Sequence, residues 1–499
     1  MKKIKLLGII AFISFSLNAQ NETEYLTKNQ ILNDLAQLDD ILQNTSSYQG
    51  LNGYEYKKEF DNFSANFKEQ SVTKYDLELF LSKVIGKIGD RHSYIEGERL
   101  RNSLYFPIAF APLNDKVLVV DFNNDTGKYN HWNKDFPYLK SINNIPIEKI
   151  LPQVLPADIL APKKSYELRA VRELRDIEII FKALNFDLPN PLPITLTNDK
   201  GMDKEVVVEL VDSKNKAKLW DERFYKNNFF LRDGQSNDKE IIKSFFSIKD
   251  NIGYIQLVDM LDKEDSPVFF EFLNDFMRIA KQTDALIIDV RDNGGGTRDL
   301  IQELAGYFIN PNSVYVVNAT RQRGKLPLNE ELKEYLHYRF LYSRDELDKR
   351  EQKAVDSFMA SFKPMYDLDD NKFSDYHYYI LNGQKLAKNK YHYDKPIYIL
   401  TNERSFSAAS VFVSVFKDLP NIKIVGINTD GSSGNSERFE LSNTEFRGKI
   451  STMVSFQKDG QILDGIGTKP DIIIERNLDQ IFLKEDYQLN KLIEIIKRK

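Results

Sequence analysis

The sequence predicts a mixed α/β protein, in which a helical N-terminal region and a small β-rich domain precede a larger α/β domain. Residues 21–100 repeat apolar side chains at helical spacing, whereas residues 101–225 contain short β-like runs. In residues 226–499, buried strands alternate with helices, as in a largely parallel sheet covered on both faces. Several domains are expected because 499 residues are too many for one compact core.

Residues 1–20 predict a secretory signal peptide. Lysines precede an apolar run from Leu6 to Leu17, and small residues near Ala19 suit a cleavage site. The alternative is a membrane anchor, but the run is shorter than the ~20 residues that a spanning helix needs. We therefore expect a periplasmic or secreted protein that does not span the membrane once the signal is removed.

Composition excludes several classes of function. The formal net charge of -5 argues against a nucleic-acid partner, which usually leaves a basic footprint. The absence of cysteine excludes disulfides, a thiol nucleophile and thiolate metal sites. Asp289 at a strand end lacks partner carboxylates at ligand spacing, so no metal or cofactor is predicted.

The helical N-terminal region leads into a polar loop. Thr27 and Gln30 have capping-box spacing before the first helix. A later helix, over residues 77–88, ends near Gly89, and His92 follows in a short polar turn. His92 is either a surface or capping histidine or a residue with a chemical role.

Residues 101–225 are interpreted as a β-rich domain. Strands are predicted at Tyr105–Ala111, Lys116–Phe122, Tyr138–Ile142, Ile194–Thr197 and Glu205–Leu210. The phrase YLKSINNIPIEKIL resembles the strand-turn-helix corner of PDZ domains, which bind chain ends by adding a strand to a sheet edge. An unrelated small β domain is the alternative.

The α/β pattern begins at Ile252 and is interrupted at about residues 310–390. A helix is predicted at Ser266–Lys281 and a buried strand at DALIIDV, followed by the triple glycine Gly294–Gly296. Triple glycine permits backbone geometry that a side chain would block and exposes amides that can bind an anion. The charged, tyrosine-rich interruption is interpreted as an inserted lid or flap over the core, with a purely structural excursion as the alternative.

The stretch Pro396–Ser410 offers a candidate nucleophile. A short buried strand, Ile397–Leu400, is followed by a polar turn and by small residues that open a helix. Ser407 lies in this strand-to-helix turn, where helix N-terminal amides point toward it. The alternative is that Ser407 is a helix cap, the usual role of serine at this position.

Three motifs occur in order: DVRDNGGG, TNERSFSAAS and LDGIGTKPDI. Neither a GxGxxG dinucleotide fingerprint nor a GxSxG elbow is present. Together, over residues 251–474, and with GDRHSYI upstream, the motifs resemble the S41 family of tail-specific (C-terminal processing) serine peptidases, which includes the tricorn core protease. The resemblance implies a ClpP/crotonase-like catalytic domain, often preceded by a PDZ domain.

The resemblance assigns roles to individual residues. The family's nucleophile falls on Ser407, and the oxyanion-hole amides fall on Ala408 and on Gly295 or Gly296. In the lysine-dependent branch the general base falls on Ser432, which cannot act as a base by itself.

In the branch that resembles tricorn, the base falls on His92 and the acid on Asp464, where aspartate replaces the more usual glutamate. An imidazole with a reference pKa near ~6.5 suits proton abstraction from serine, and a carboxylate on the far ring nitrogen fixes its tautomer. The resemblance therefore implies a serine endopeptidase that acts on peptides or unfolded protein segments without a cofactor. The alternative is a non-catalytic module on the same scaffold that binds an apolar ligand or a peptide.

Overall fold

The computed structural model describes residues 25–67, 71–96, 103–154, 161–222, 231, 234–432 and 434–498. The predicted signal peptide, residues 1–20, lies outside the described residues. No helix within the described ranges is both long enough and apolar enough to cross a membrane.

The N-terminal region is helical, as predicted. It contains α1 (Lys28–Thr45), α2 (Tyr56–Asn66), α3 (Lys74–Ile88) and the short strand β1 (Tyr94–Glu96). The predicted capping box is present, because the Gln30 amide donates to Thr27 Oγ1 and the Thr27 amide donates to Gln30 Oε1. Helix α2 was not predicted. The loop that holds His92 begins at Gly89, the left-handed C-cap of α3 with φ +100°.

The next part of the chain forms an antiparallel sheet with three helices. Its elements are β2 (Ala109–Leu113), β3 (Lys116–Asn123), β4 (Lys128–His131), β5 (Tyr138–Ile142), β6 (Ile145–Pro146), α4 (Ile147–Val154), α5 (Lys163–Glu173), α6 (Ile177–Ala183), β7 (Leu192–Thr197) and β8 (Asp203–Val208). The strand order is β2-β3-β5-β7-β8, with β4 on β3 and β6 on β5. The strand predicted from Tyr105 begins only at Ala109, since Tyr105 makes a single bridge to Val211. Helices α5 and α6 were not predicted.

A mainly parallel sheet starts after residue 234. Its first elements are α7 (Lys239–Lys243), β9 (Phe246–Lys249), β10 (Ile252–Gln256), α8 (Pro267–Ala280), β11 (Ala285–Asp289) and α9 (Asp299–Phe308). Strands β10 and β11 are parallel, and β9 is antiparallel at the edge. All five residues of β11 are buried, as the unbroken apolar run predicts for a central parallel strand.

The predicted insertion at 310–390 is joined to the rest of the protein by a sheet. It contains β12 (Val314–Gln322), α10 (Glu330–Tyr338), β13 (Leu341–Ser343), α11 (Lys349–Met359), β14 (His377–Asn382) and α12 (Gly383–Leu386). Strand β12 pairs with β14 on one side and with Met453–Phe456, outside the segment, on the other. Every residue of β14 is buried. The segment therefore differs from the flap that we expected, because its strands help to form the core.

The C-terminal part completes the parallel sheet. Its elements are β15 (Ile397–Thr401), α13 (Ala408–Phe416), β16 (Ile422–Gly426), β17 (Ser436–Glu440), β18 (Arg447–Ser451), β19 (Met453–Phe456), β20 (Ile472–Ile473), α14 (Leu478–Ile481) and α15 (Tyr487–Lys497). The sheet order is β20-β16-β15-β11-β10-β9. Because β11 and β15 are parallel neighbours, the turns that follow them lie side by side.

The N-terminal region is attached to this domain by a second sheet. Strand β1 pairs antiparallel with β18, in register from Tyr94 opposite Lys449 to Glu96 opposite Arg447. Strand β18 also pairs with β17. The loop that holds His92 is thereby fixed beside the C-terminal part of the chain.

A buried charge network reinforces the turn after β15. Arg476 donates to both carboxylate oxygens of Glu222, each at 2.8 Å, and to Glu403 Oε1 at 2.6 Å. Burial raises the pKa of Glu403, against the opposing effect of Arg476. Burial alone would lower the pKa of Arg476, but the charges of Glu222 and Glu403 raise it above its ordinary value. The guanidinium therefore stays charged and holds the two carboxylates together.

We predict that Arg476→Ala lowers the free energy of unfolding by about 3–5 kcal/mol, because it leaves two carboxylates buried without a cation. The measurement is urea denaturation followed by the fluorescence of Trp220, which packs against Arg476. Arg447→Ala is the control, since it breaks an exposed ion pair with Glu440 and should cost about 1 kcal/mol or less. Equal effects of the two substitutions would contradict the prediction.

Candidate active site

The turns after β11 and β15 are hydrogen-bonded to each other. The Phe406 amide donates to the Asn293 carbonyl at 2.9 Å, and the Asp292 amide donates to Asn402 Oδ1 at 3.0 Å. These bonds join the glycine turn to the turn that ends in Ser407. The two motifs that the sequence separates by more than a hundred residues thus form one surface.

Ser407 has a strained backbone and a side chain that does not cap the helix that follows it. Its φ of 51° and ψ of -124° lie in a region that residues other than glycine rarely adopt. Its side chain makes no capping hydrogen bond, so the cap alternative is not what the structure has. The Ser407 amide donates to Oγ of the buried Ser432 at 2.8 Å, which helps to hold this conformation.

The glycine turn lies directly against the serine. Gly295 has a φ of +98°, and a Cβ at this position would come within 2.6 Å of Ser407 Cβ and 2.9 Å of the Ala408 nitrogen. Glycine is required here both for its conformation and for the close approach.

Two of the predicted oxyanion donors have free amides. The Gly295 amide donates to Asn293 Oδ1 at 2.8 Å and is therefore already satisfied. The Gly296 amide makes no hydrogen bond to any described residue. Ala408, as the first residue of α13, has no intrahelical acceptor, and its amide has no other partner in the described part of the chain. Gly296 and Ala408 are thus the available donors, rather than Gly295.

The structure brings His92 and Asp464 to the serine. His92 Nε2 lies 3.2 Å from Ser407 Oγ, within hydrogen-bond distance. On the other side of the ring, His92 Nδ1 lies 3.8 Å from Asp464 Oδ1, which is longer than a hydrogen bond. The imidazole stacks on the Phe406 ring at 5.1 Å between centroids. Asp464 is buried, and the side chain of His92 is 10% exposed.

The loop around His92 is fixed by Asp90, which we did not identify from the sequence. Asp90 Oδ1 accepts from the amides of His92 and Ser93, at 2.9 and 2.7 Å, and from Ser451 Oγ at 2.5 Å. Burial raises the pKa of Asp90. An aspartate two residues before the histidine is the signal of such a turn, because its side chain bonds the amides that follow.

Tyr48 is a second contact that the sequence did not reveal. Its hydroxyl donates to Asp464 Oδ2 at 2.8 Å, and its side chain is fully buried. Burial and the charge of Asp464 hold the pKa of Tyr48 well above its ordinary value, so the hydroxyl remains a donor. No local pattern could have indicated this contact, since the two residues are 416 positions apart.

Among the residues that the structure describes, no group of three or more histidine, aspartate or glutamate side chains could hold a metal ion.

The family model of peptidase family S41 matches residues 251–474, which contain both turns and Asp464. This part of the chain is a domain of peptidase family S41. The chain therefore carries a serine-peptidase domain, of the hydrolase class. This domain begins at β10 and ends after β20, so His92 and Tyr48 are supplied from outside it.

The chain also resembles individual proteins. It is 22% identical over 256 residues to the Chlamydia pneumoniae protein CPj1016/CpB1054, an alignment that covers 47% of this chain and 39% of the relative. The chain thus spans about two fifths of the length of the curated relative that it matches.

Two solved structures of mature CPAF share its fold. The one complexed with lactacystin has a TM-score of 0.63 and covers 95% of this chain and 99% of CPAF. The other has a TM-score of 0.62 and covers 95% and 98%. Both are 16% identical to this chain, so the likeness concerns the fold.

We predict that Tyr48→Phe slows the reaction of Ser407 with a fluorophosphonate by about 10- to 100-fold, since a hydrogen bond to a charged group is worth about 1.5–3 kcal/mol. With a peptide substrate, kcat should fall while KM stays unchanged, because Tyr48 positions Asp464 and does not reach the substrate.

Tyr56→Phe is the matched control for this prediction. Tyr56 is also a buried tyrosine of the N-terminal region, and its hydroxyl donates to Asp39 Oδ1 at 2.5 Å. Loss of stability alone should affect both variants similarly. An equal loss of reactivity in the two variants would show that Tyr48 has only a structural role.

Proposed function

We propose that the protein is a secreted or periplasmic serine endopeptidase that hydrolyses peptide bonds through Ser407, His92 and Asp464. The observation that carries the proposal is the 3.2 Å approach of His92 Nε2 to Ser407 Oγ at a strained strand-to-helix turn. Family S41 supplies the class of reaction, and the substrates are peptides or unfolded protein segments.

In the proposed reaction, Ser407 Oγ attacks the carbonyl carbon of the scissile bond and His92 Nε2 takes the hydroxyl proton. The amides of Gly296 and Ala408 stabilise the negative charge on the carbonyl oxygen. His92 then gives the proton to the leaving amine, which leaves an acyl-enzyme on Ser407. Water, activated by His92, attacks this ester and restores the free serine.

Asp464 acts on the far side of the imidazole. Its carboxylate stabilises the imidazolium that forms during the reaction. His92 Nδ1 and Asp464 Oδ1 are 3.8 Å apart, and catalytic hydrogen bonds of this kind often tighten only when substrate is bound.

Ser432 has a different role in this proposal. It occupies the position of the base in the lysine-dependent branch of the family. Instead of acting as a base, its Oγ accepts a hydrogen bond from the Ser407 amide. We propose that it keeps the nucleophile in its strained conformation while His92 serves as base.

The finer architecture is also a proposal. The parallel sheet around β11 and β15 fits a ClpP/crotonase-like core. The corner formed by β5, β6 and α4 supports a PDZ-like middle domain that would recognise a free C-terminus of the substrate, as in tail-specific peptidases.

Export is the proposed fate of the chain, on the evidence of the predicted signal in residues 1–20. Expression with its own N-terminus in a Gram-negative host should give a periplasmic or secreted product that begins near Ala19 or Gln20. N-terminal sequencing of the fractionated protein tests this. An uncleaved protein that stays in the cytoplasm would contradict it.

The first test of the proposed function is labelling of the purified mature protein with a fluorophosphonate, with peptide mass spectrometry to locate the adduct. We expect an adduct on Ser407 that is absent in Ser407→Ala. The same substitution should abolish cleavage of an unfolded protein substrate. Equal proteolysis by the two forms would reject Ser407 as the nucleophile.

The identity of the base is tested in the same assay. His92→Ala should lower the rate of proteolysis by about 10⁴-fold, since loss of a triad member removes most of the catalysis. Ser432→Ala should lower it only about 3- to 10-fold, the effect of one neutral hydrogen bond. A larger loss of activity in Ser432→Ala than in His92→Ala would point to a mechanism in which His92 is not the base. Circular dichroism provides the check that each variant is folded.

A further inference from the structure

A groove with a cavity volume of 550 Å³ runs along the glycine turn. Three aspartates, Asp259, Asp262 and Asp265, line it together with Gly295 and Gly296. No lysine, arginine or histidine is among its described lining residues. The groove is therefore acidic, although the chain as a whole has nearly balanced charges.

The groove is directly connected to the candidate active site. Met260 follows Asp259 in the chain, and its amide donates a hydrogen bond to the Gly295 carbonyl at 3.1 Å. The Met260 carbonyl accepts a hydrogen bond from the Thr297 amide at 2.7 Å. Gly295 itself lies against Ser407. A peptide whose scissile carbonyl oxygen binds the glycine turn would thus have a neighbouring side chain beside this groove.

Asp259 is a buried carboxylate that has no cationic partner among the residues that the structure describes. It is 9% exposed, and its Oδ2 accepts the Leu231 amide at 2.5 Å. It makes no ion pair with any described residue. Burial raises the pKa of Asp259 to about 7. A carboxylate that is buried without a counter-charge is unfavourable, and a cation that enters the groove would relieve this cost.

The other two aspartates of the groove are bound through hydrogen bonds in the described part of the chain. Asp262 Oδ1 accepts the amides of Glu264 and Asp265, and its Oδ2 accepts the Tyr338 hydroxyl. Neither Asp262 nor Asp265 forms an ion pair with a described residue. Both lie nearer to solvent than Asp259 and would attract a cation toward the groove.

The remaining walls suit the stem of a long basic side chain. Leu231, Met260 and Leu261 contribute apolar surface to the groove. Lysine and arginine side chains bury their methylene groups against such surface and place the charge at the far end. A groove with apolar residues in its walls and a buried carboxylate therefore matches these side chains better than it matches an acidic or a small one.

We propose that this groove is a specificity subsite that binds a lysine or arginine side chain of the substrate next to the scissile bond, with Asp259 as its charge partner. The proposal rests on the peptidase function proposed above and adds a substrate class to it. It predicts cleavage of peptides that carry a basic residue at one fixed position beside the cleaved bond.

The wild-type protein tests the proposal without any substitution. A peptide library is incubated with the mature protein, and the cleaved bonds are mapped by mass spectrometry. We expect enrichment of lysine and arginine at one position adjacent to the cleaved bond. In fluorogenic peptides, lysine at that position should give a kcat/KM at least about 10-fold higher than norleucine, which has the same methylene stem but lacks the ammonium group. Cleavage without such a preference would overturn the subsite and leave the peptidase function intact.

Asp259→Asn then identifies the charge partner. Asparagine keeps an oxygen to accept the Leu231 amide and removes the charge, so the fold should be retained, as thermal unfolding will show. The ratio of lysine to norleucine kcat/KM should fall toward one. Glu264→Gln is the matched control, because Glu264 is an exposed acid of the same loop that does not line the groove. An unchanged ratio in Asp259→Asn would overturn the assignment.

A binding measurement separates failure of the subsite from failure of the proposed function. Benzamidine, a small cation, is titrated calorimetrically into Ser407→Ala and into the double variant that also carries Asp259→Asn. We expect at least about 10-fold weaker binding in the double variant, as for loss of a buried charge partner. If no peptide is cleaved and Ser407 takes no label, the peptidase function fails, and Asp259-dependent benzamidine binding would still support a cation site. Equal or absent binding in both proteins would reject it.

Discussion

The parallel pairing of β11 with β15 is the constraint on which the candidate site depends. The two strands run side by side from Leu286 opposite Ile397 to Asp289 opposite Leu400, so both chains leave the sheet at the same edge. One chain then makes the glycine turn and the other makes the turn to Ser407. Because Gly295 approaches Ser407 too closely for a side chain, each turn fixes the shape of the other.

The rest of the site is delivered by contacts between distant parts of the chain. Strand β1 pairs with β18 and thereby positions the loop of His92, while Asp90 closes that loop onto Ser451. A bidentate ion pair between Arg91 and Asp430 joins the same loop to the segment that contains Ser432. The N-terminal region thus contributes loop residues to the site that the S41 domain does not contain.

Buried carboxylates near the site differ in how their charge is stabilised. Asp90 accepts three hydrogen bonds, and Glu403 is paired with Arg476. Asp464 accepts the hydroxyl of Tyr48 and faces the imidazole of His92. Asp259 has one backbone donor and no cation. Asp259 has the fewest partners of these carboxylates among the described residues, and this is the observation on which the proposed external cation rests.

The sequence by itself determined the elements whose signal is local. The apolar runs at Ala285–Asp289 and Ile397–Thr401, the glycine turn and the capping box at Thr27 each depend on neighbouring residues, and each was predicted. The resemblance of the motifs to family S41 also indicated Ser407, His92 and Asp464 as candidates, and the structure brings these residues together.

Tertiary structure alone decided the remainder. The side chain of Asn293 accepts a hydrogen bond from the Gly295 amide, and this leaves Gly296 rather than Gly295 as the available donor. The place of residues 310–390 in the core follows from the pairing of β12 with β19, which are separated by more than a hundred residues. The contact of Tyr48 with Asp464 and the isolation of Asp259 likewise depend on which distant segments pack together. Local periodicity carries no information about such contacts, because they are selected by the burial and hydrogen bonding of the whole chain.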